Sequence, residues 1–224
     1  GVGMKGSDFQ ALKFLGRGSY GKIFCVRNSI SGKTFVLKKI CKSKLDTKAK
    51  RAKIIQERQI LSMLKSHPFI CKFIRTFTTT DHIYFLMEAV LGGALYSRMQ
   101  EDGIFNNHET VFYCAQIALI LDYLHANKII LRDLKPENLL FAKNGYLKLI
   151  DFGLSKVLPE GKTYTTCGTP THMAPEIYSG KGHNRSVDWW SFGVVVHELV
   201  YGHVPFVALS PHDIYLEITI YSSS

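Results

Sequence analysis

The period of the apolar pattern changes near residue 90, and this break constrains the fold more than any other feature of the chain. Before it, residues 9–15, 22–27 and 33–38 are short runs rich in aromatic, Ile and Val residues, separated by a glycine cluster and by 28–32. That pattern predicts a three-stranded antiparallel meander. A helix follows over 48–64 and stops before His67 and Pro68; 73–78 and 83–87 add two strands. After Leu91-Gly92-Gly93 the periodic segments are helical. In 110–127, Val111, Cys114, Ala118, Leu121 and Leu124 form a stripe behind the capping candidates Asn106 and Asn107. In 186–201, Val187, Trp189, Trp190, Phe192, Val194, Val195, Val196, Leu199 and Val200 surround the axis, which places that helix at the centre of its lobe. Gly202 and Pro205 end it, and 211–218 reads as one more helix.

The chain has 224 residues, 46% of them hydrophobic and 21% charged. That is enough apolar side chain for a buried core and too little charge for disorder. The longest apolar stretches, 117–121 and 192–196, fall far short of the ~20 residues of a membrane span. No secretory segment follows Lys5 and Asp8. The five cysteines are odd in number and form no CxxC pair, which fits reduced thiols in a cytoplasmic protein. A net charge of +10 admits nucleic acid, an anionic membrane surface or a polyphosphate as partner. The excess is scattered, with one concentration at 38–53, so solvated basic faces are preferred to a nucleic-acid partner.

Gly16-Arg17-Gly18-Ser19-Tyr20-Gly21 suits a hairpin turn or a phosphate-binding loop. A dinucleotide fold needs a helix after the glycines and an acid ~20 residues on. Here a strand-like run follows, and 38–42 hold Lys, Lys, Ile, Cys and Lys. What remains is a glycine-rich strand–turn–strand, either a plain hairpin or one with backbone amides free to lie over a triphosphate. On the helix that follows, Ile54, Glu57, Leu61 and Leu64 share one face. An inward Glu57 requires a partner, and Lys38, at the end of its strand, is the natural one. The alternative is a Glu57 at the rim of the stripe, reaching water.

Further on, Leu131-Arg132-Asp133-Leu134-Lys135-Pro136-Glu137-Asn138 is followed by Asp151-Phe152-Gly153 and by Ala174-Pro175-Glu176. With the glycine cluster, Lys38 and Glu57, this constellation resembles the eukaryotic protein kinases, from Phe9 to about Ile218. Within that family Leu86-Met87-Glu88-Ala89-Val90-Leu91-Gly92-Gly93, Thr166-Cys167-Gly168-Thr169-Pro170 and Val187-Asp188-Trp189-Trp190 resemble the AGC group, nearest the cyclic-nucleotide-dependent (cGMP- or cAMP-dependent) kinases.

The resemblance implies an α+β, bilobal fold. An extension at 1–8 leads into an N-lobe at 9–86, with a five-stranded antiparallel sheet and one main helix. A hinge at 87–91 connects it to a mostly helical C-lobe at 92–224. It also implies a serine/threonine kinase that uses ATP and Mg²⁺ on protein substrates. Gly16, Gly18 and Gly21 would cover the phosphates, and Lys38, fixed by Glu57, would hold two of them. Asn138 and Asp151 would ligate Mg²⁺. Asp133 would orient the substrate hydroxyl, and Lys135 would sit on the transferring phosphate. Adenine would lie between Ile23 and Val36 on one side and Leu140 on the other, bonded to the backbone of Glu88 and Val90, with Met87 as gatekeeper. Thr165 matches the activation-loop site phosphorylated by an upstream kinase, with Thr163 and Thr166 as close rivals. Arg132 and Lys156 match its phosphate-binding cations, and Lys53 is a possible third. Glu137, Glu198 and Thr169 fall to substrate recognition.

Several positions depart from the family pattern. Leu131 replaces His or Tyr and still fits an apolar spine with Leu61, Phe73 and Phe152. Val36 adds two methyl groups over adenine. Ala94 stands where basophilic members carry a Glu, which predicts a weakened basic preference that Glu137 and Glu198 alone sustain. Leu154 favours Ser over Thr acceptors. The chain stops at Ser224, where the family continues, so the C-lobe is expected to be incomplete and the outer face of 186–201 partly uncovered. The competing reading is a kinase-like ATP-binding or regulatory module with little activity. A metallohydrolase fails on spacing, because His197-Glu198-Leu199-Val200-Tyr201 lacks a second histidine.

Overall fold

A computed structural model describes residues 6–18, 20–64, 66–208 and 210–222. Ser19 of the glycine cluster and residues 1–5 of the N-terminal extension lie outside them. The chain divides into two compact units, residues 1–91 and 92–224.

The first unit carries β1 (Phe9–Gly18), β2 (Gly21–Asn28), β3 (Thr34–Cys41), helix α1 (Lys48–Met63), β4 (Phe73–Thr78) and β5 (His82–Glu88). The strands form one antiparallel sheet in the order β1-β2-β3-β5-β4. Asn28 makes the β2–β3 turn: its Oδ1 accepts from Ser31 N at 2.8 Å, its carbonyl accepts from Gly32 N at 2.8 Å, and Gly32 takes φ +68°. β3 runs three residues beyond the predicted end. Lys38 is therefore mid-strand, flanked by Ile23 on β2 and Phe85 on β5. Cross-strand pairing of Lys39, Ile40 and Cys41 extends the strand through a polar pair that the pattern alone discounts. Thr47 caps α1 by accepting from Lys50 N at 3.2 Å. The helix buries Ile54, Glu57, Ile60 and Leu61, whereas Leu64 is its C-cap.

The second unit contains α2 (Leu95–Asp102), α3 (Asn107–Ala126), β6 (Ile129–Ile130), β7 (Leu139–Phe141), β8 (Leu147–Leu149), β9 (Lys156–Val157), α4 (Pro175–Tyr178), α5 (Ser186–Tyr201) and α6 (Pro211–Ser222). β6 pairs with β9 and β7 with β8. Asn106 and Glu109 form a reciprocal capping box, so α3 begins three residues earlier than its apolar stripe. α3 and α5 pack on one another, burying Ile117, Ile120, Leu121, Leu124, Val187, Val195 and Leu199 completely. Gln116 of α3 accepts from Leu147 N at 2.8 Å, tying the β7–β8 hairpin to this core. Gly202 closes α5 in the left-handed region at φ +79°.

α5 departs from the reading of a helix buried on all sides. One face is buried and includes Asp188, Ser191 and Glu198, while Trp189 and Tyr201 are exposed. α6 runs past 218 to Ser222 and packs on α4. Among the described residues, no helix is long and apolar enough to cross a membrane, and no disulfide is formed.

The tightest backbone approach in the sheet is at Gly21, where a Cβ would lie 1.8 Å from the carbonyl oxygen of Lys39. Gly21→Ala must push β2 from β3 beside Lys38. It is expected to cost at least about 1–3 kcal/mol, read by urea unfolding; an unchanged midpoint would contradict the close approach.

Candidate active site

In the first unit, Lys38 Nζ lies 2.5 Å from Glu57 Oε1, with Glu57 buried and Lys38 nearly so. The pair joins mid-β3 to mid-α1, and each charge removes the cost of burying the other. A Cβ on Gly18 would stand 3.7 Å from Lys38 Cε, so the glycine turn runs directly beside the ammonium stem, and Gly16 faces open space. Bare backbone beside a cation suits an anionic phosphate chain. Ile23 and Val36 are half-buried on β2 and β3. Met87 and Glu88 close β5, and Met87 is buried. Glu88 N is spent on Lys72 O at 2.9 Å. Val90 is buried, and among the described residues its backbone has no hydrogen-bond partner. A planar base would satisfy it there.

In the second unit the loop 131–138 is organised around one buried carboxylate. Asp188 of α5 is fully buried. Its Oδ2 accepts from Leu131 N at 2.9 Å and lies 2.7 Å from His125 Nε2, and its Oδ1 accepts from Arg132 N at 2.8 Å. Arg132 takes φ +68°, a left-handed conformation costly for a side chain of this size, and these bonds hold it. With the backbone so fixed, Asp133 Oδ1 accepts from Thr169 Oγ1 at 2.6 Å. Lys135 Nζ donates to the same Thr169 oxygen at 2.8 Å and lies 3.3 Å from Asp133 Oδ2. Asn138 Nδ2 donates to the Asp133 carbonyl at 3.0 Å and, more weakly, to its carboxylate at 3.4 Å.

Because its nitrogen is engaged, the Asn138 carboxamide has its oxygen left for a cation. Ile150 N donates to Asn138 O at 3.1 Å where the β7–β8 hairpin opens, so Asp151 follows immediately beside Asn138. Asp151 is exposed and keeps one oxygen on Gly153 N at 2.9 Å. A carboxamide oxygen and a carboxylate at one hairpin end are hard donors, few enough for a cation that keeps most of its waters. The donor set fits Mg²⁺. Leu140, half-buried, is bridged to Ala94.

A third cluster lies along the segment after Asp151. Lys156 Nζ donates to the buried Thr163 Oγ1 at 2.9 Å. Thr163 and His183 exchange backbone bonds of 2.9 and 2.8 Å. Arg132 Nε donates to Leu154 O at 2.7 Å. Burial pulls the Arg132 guanidinium below its ordinary range, with Cys167 and Asp188 opposing. Thr165 and Thr166 are exposed, and so is Lys53 on α1. Of the residues assigned to substrate recognition, Glu137 is exposed, whereas Glu198 is buried with Oε1 2.5 Å from His172 Nε2, not aligned for a hydrogen bond. Thr169 stands on Asp133. Leu131 is buried.

Residue reading missed Asp188, His125 and His183 as site-forming groups. The signal for Asp188 was present: it is an acid inside an apolar helix, the same signal that singled out Glu57.

Residues 9–221 match the family described as protein kinase domain. The chain is 43% identical over 200 residues to cAMP-dependent protein kinase type 3 of Saccharomyces cerevisiae, covering 89% of this chain and 50% of that protein. It is 39% identical over 213 residues to serine/threonine-protein kinase Sgk1 of Xenopus tropicalis, covering 94% and 51%. It is 42% identical over 205 residues to ribosomal protein S6 kinase alpha-2 of Homo sapiens, covering 89% and 28%. The chain belongs to the protein kinase family, whose members use ATP and Mg²⁺. Its relatives are AGC kinases, and it belongs with that group; identities of 39–43% do not single out the cyclic-nucleotide-dependent branch. The chain spans about half the length of the first two of these relatives, and less of the third.

Asp188→Ala removes the acceptor of two backbone amides and leaves His125 without its partner. It is expected to destabilise the second unit by about 3–5 kcal/mol, measured by urea unfolding. A loss under about 1 kcal/mol would show that the loop is held by other means.

Proposed function

We propose that this domain transfers the γ-phosphoryl group of Mg·ATP to serine or threonine hydroxyls of proteins. The observation that carries the reading is the bonded set Asp133, Thr169, Lys135 and Asn138 beside Asp151. It assembles in one unit a carboxylate for the acceptor, a cation and two metal donors. The metal–nucleotide supplies the phosphoryl group and neutralises its developing charge. Lys38, held by Glu57, positions two phosphates under the glycine turn. Asn138 and Asp151 hold the metal. Asp133, fixed by Thr169 and Asn138, orients the acceptor hydroxyl and takes its proton. Lys135 balances negative charge on the group in transfer. Ile23 and Val36 cover one face of the base, with Met87 limiting its depth and Val90 and Glu88 supplying backbone contacts.

Protein acceptors with a weak basic preference and serine favoured follow from Ala94, Leu154 and the two acids. Glu137 is exposed and open to a substrate cation, whereas a substrate arginine reaches Glu198 only by displacing His172. Phosphorylation of Thr165 by an upstream kinase, received by Arg132 and Lys156, would order the segment. Reduced thiols suit a cytoplasmic setting.

The test is Mg·ATP-dependent incorporation of phosphate into a basic serine peptide. Asp151→Ala is expected to lower the rate at least about 100-fold. Equal background in both proteins would leave a kinase-like binding module instead. A thermal melt checks the nucleotide site separately. Mg·ATP at 100 times its Kd should add about 2.7 kcal/mol of stability, and an unmoved Tm would contradict nucleotide binding.

A further inference from the structure

We propose that the basic cluster beside the activation segment is a phosphate site in which His183 is a ligand, together with Arg132 and Lys156. The inference rests on the reading of Thr165 as the phosphorylated residue and adds a member that this reading does not contain. Its basis is a surplus of buried donors. His183 is 3% exposed, and its Nε2 is buried without a hydrogen-bond partner; Arg132 is 7% exposed, and its Nη1 is in the same condition. An unsatisfied buried donor is costly, and both residues are tied to the segment that carries Thr165, His183 through its backbone bonds to Thr163 and Arg132 through Nε on Leu154 O, so an acceptor on that segment would serve both. The backbone bonds between Thr163 and His183 hold His183 beside that segment, and the Lys156 ammonium already reaches it through Thr163 Oγ1.

The acids nearby do not fill the role. Asp188 is engaged by Leu131, Arg132 and His125, and Glu176 Oε1 accepts from Ser186 Oγ at 3.3 Å. A phosphate has only acceptor oxygens and up to two negative charges. Thr165, exposed two residues beyond Thr163, can carry one on the same segment.

The charges facing His183 give the proposal a pH signature. Burial, then Arg132, and least of all Lys156 lower its pKa, against Glu176 and Asp188, which raise it. Unphosphorylated, the folded chain therefore takes up this proton later than the unfolded chain, and stability falls as pH drops through about 6.5. A phosphate dianion at this cluster reverses the sign. The folded pKa rises above the unfolded one, so the added stability is present below about 6.5 and is lost as pH rises through the folded value.

The experiment compares the whole chain unmodified and with phosphoserine installed at position 165, which removes any dependence on an upstream enzyme. The His183 ring proton is followed by NMR titration, and Tm is measured for both forms and for His183→Phe, which keeps the ring volume and removes the donor. Expected is a His183 pKa below 6.5 without phosphate and above 6.5 with it, and a smaller Tm gain from phosphate in His183→Phe. A titration that phosphate leaves unmoved overturns the role of His183, whether or not the variant folds. If phosphate still raises Tm equally in parent and variant, the reading with Arg132 and Lys156 survives that failure. If it raises Tm in neither and the titration is unmoved, both readings fall.

Discussion

A single buried carboxylate sets the geometry on which the second unit depends. Asp188 has no exposed surface, and its two oxygens take the amides of Leu131 and Arg132 and meet the ring of His125. Such a charge is tolerable in an apolar interior only because three donors converge on it. In return, it holds Arg132 in a backbone conformation that the chain would not otherwise keep. One residue on, Asp133 is aimed at Thr169; on the other side of the same residue, the guanidinium is turned toward Leu154 and the activation segment. In the proposed function, acceptor chemistry and regulation both descend from this one helix position.

The first unit uses the same economy. Glu57 would be costly in the apolar face of α1 but for Lys38, and Lys38 would be costly mid-strand but for Glu57. The pair fixes an ammonium beside a turn whose glycines add no side-chain bulk. In both units the polar groups that matter are those whose burial requires a specific partner, so their positions are determined to within a hydrogen-bond length rather than by general packing.

Much of this was legible from residue order. The five strands and α1 followed from alternation and breakers, because strands and amphipathic helices impose their own periods on the chain. The start of α3 was missed by three residues, since Asn107, His108 and Glu109 are polar and held by a cap rather than by the core. α5 had correct ends but the wrong environment. Its apolar count suggested burial all round, whereas Trp189 and Tyr201 are exposed and the buried face carries Asp188, Ser191 and Glu198. Composition around a helix does not say which side meets a neighbour. Lys38 was likewise placed at a strand end, because the cross-strand partners that prolong β3 are distant in sequence.

By itself the sequence determined the class of fold and the family, and it named the residues proposed to carry the chemistry, because local periods and motif spacings are properties of the chain alone. Only the tertiary structure decided that Thr169 sits on Asp133, that His172 lies against Glu198, and that His183 and Arg132 are left with unpaired donors. Each of these depends on how separate elements pack. The free energy of a buried polar atom is set by what packs against it, and that is unknown until the chain has folded.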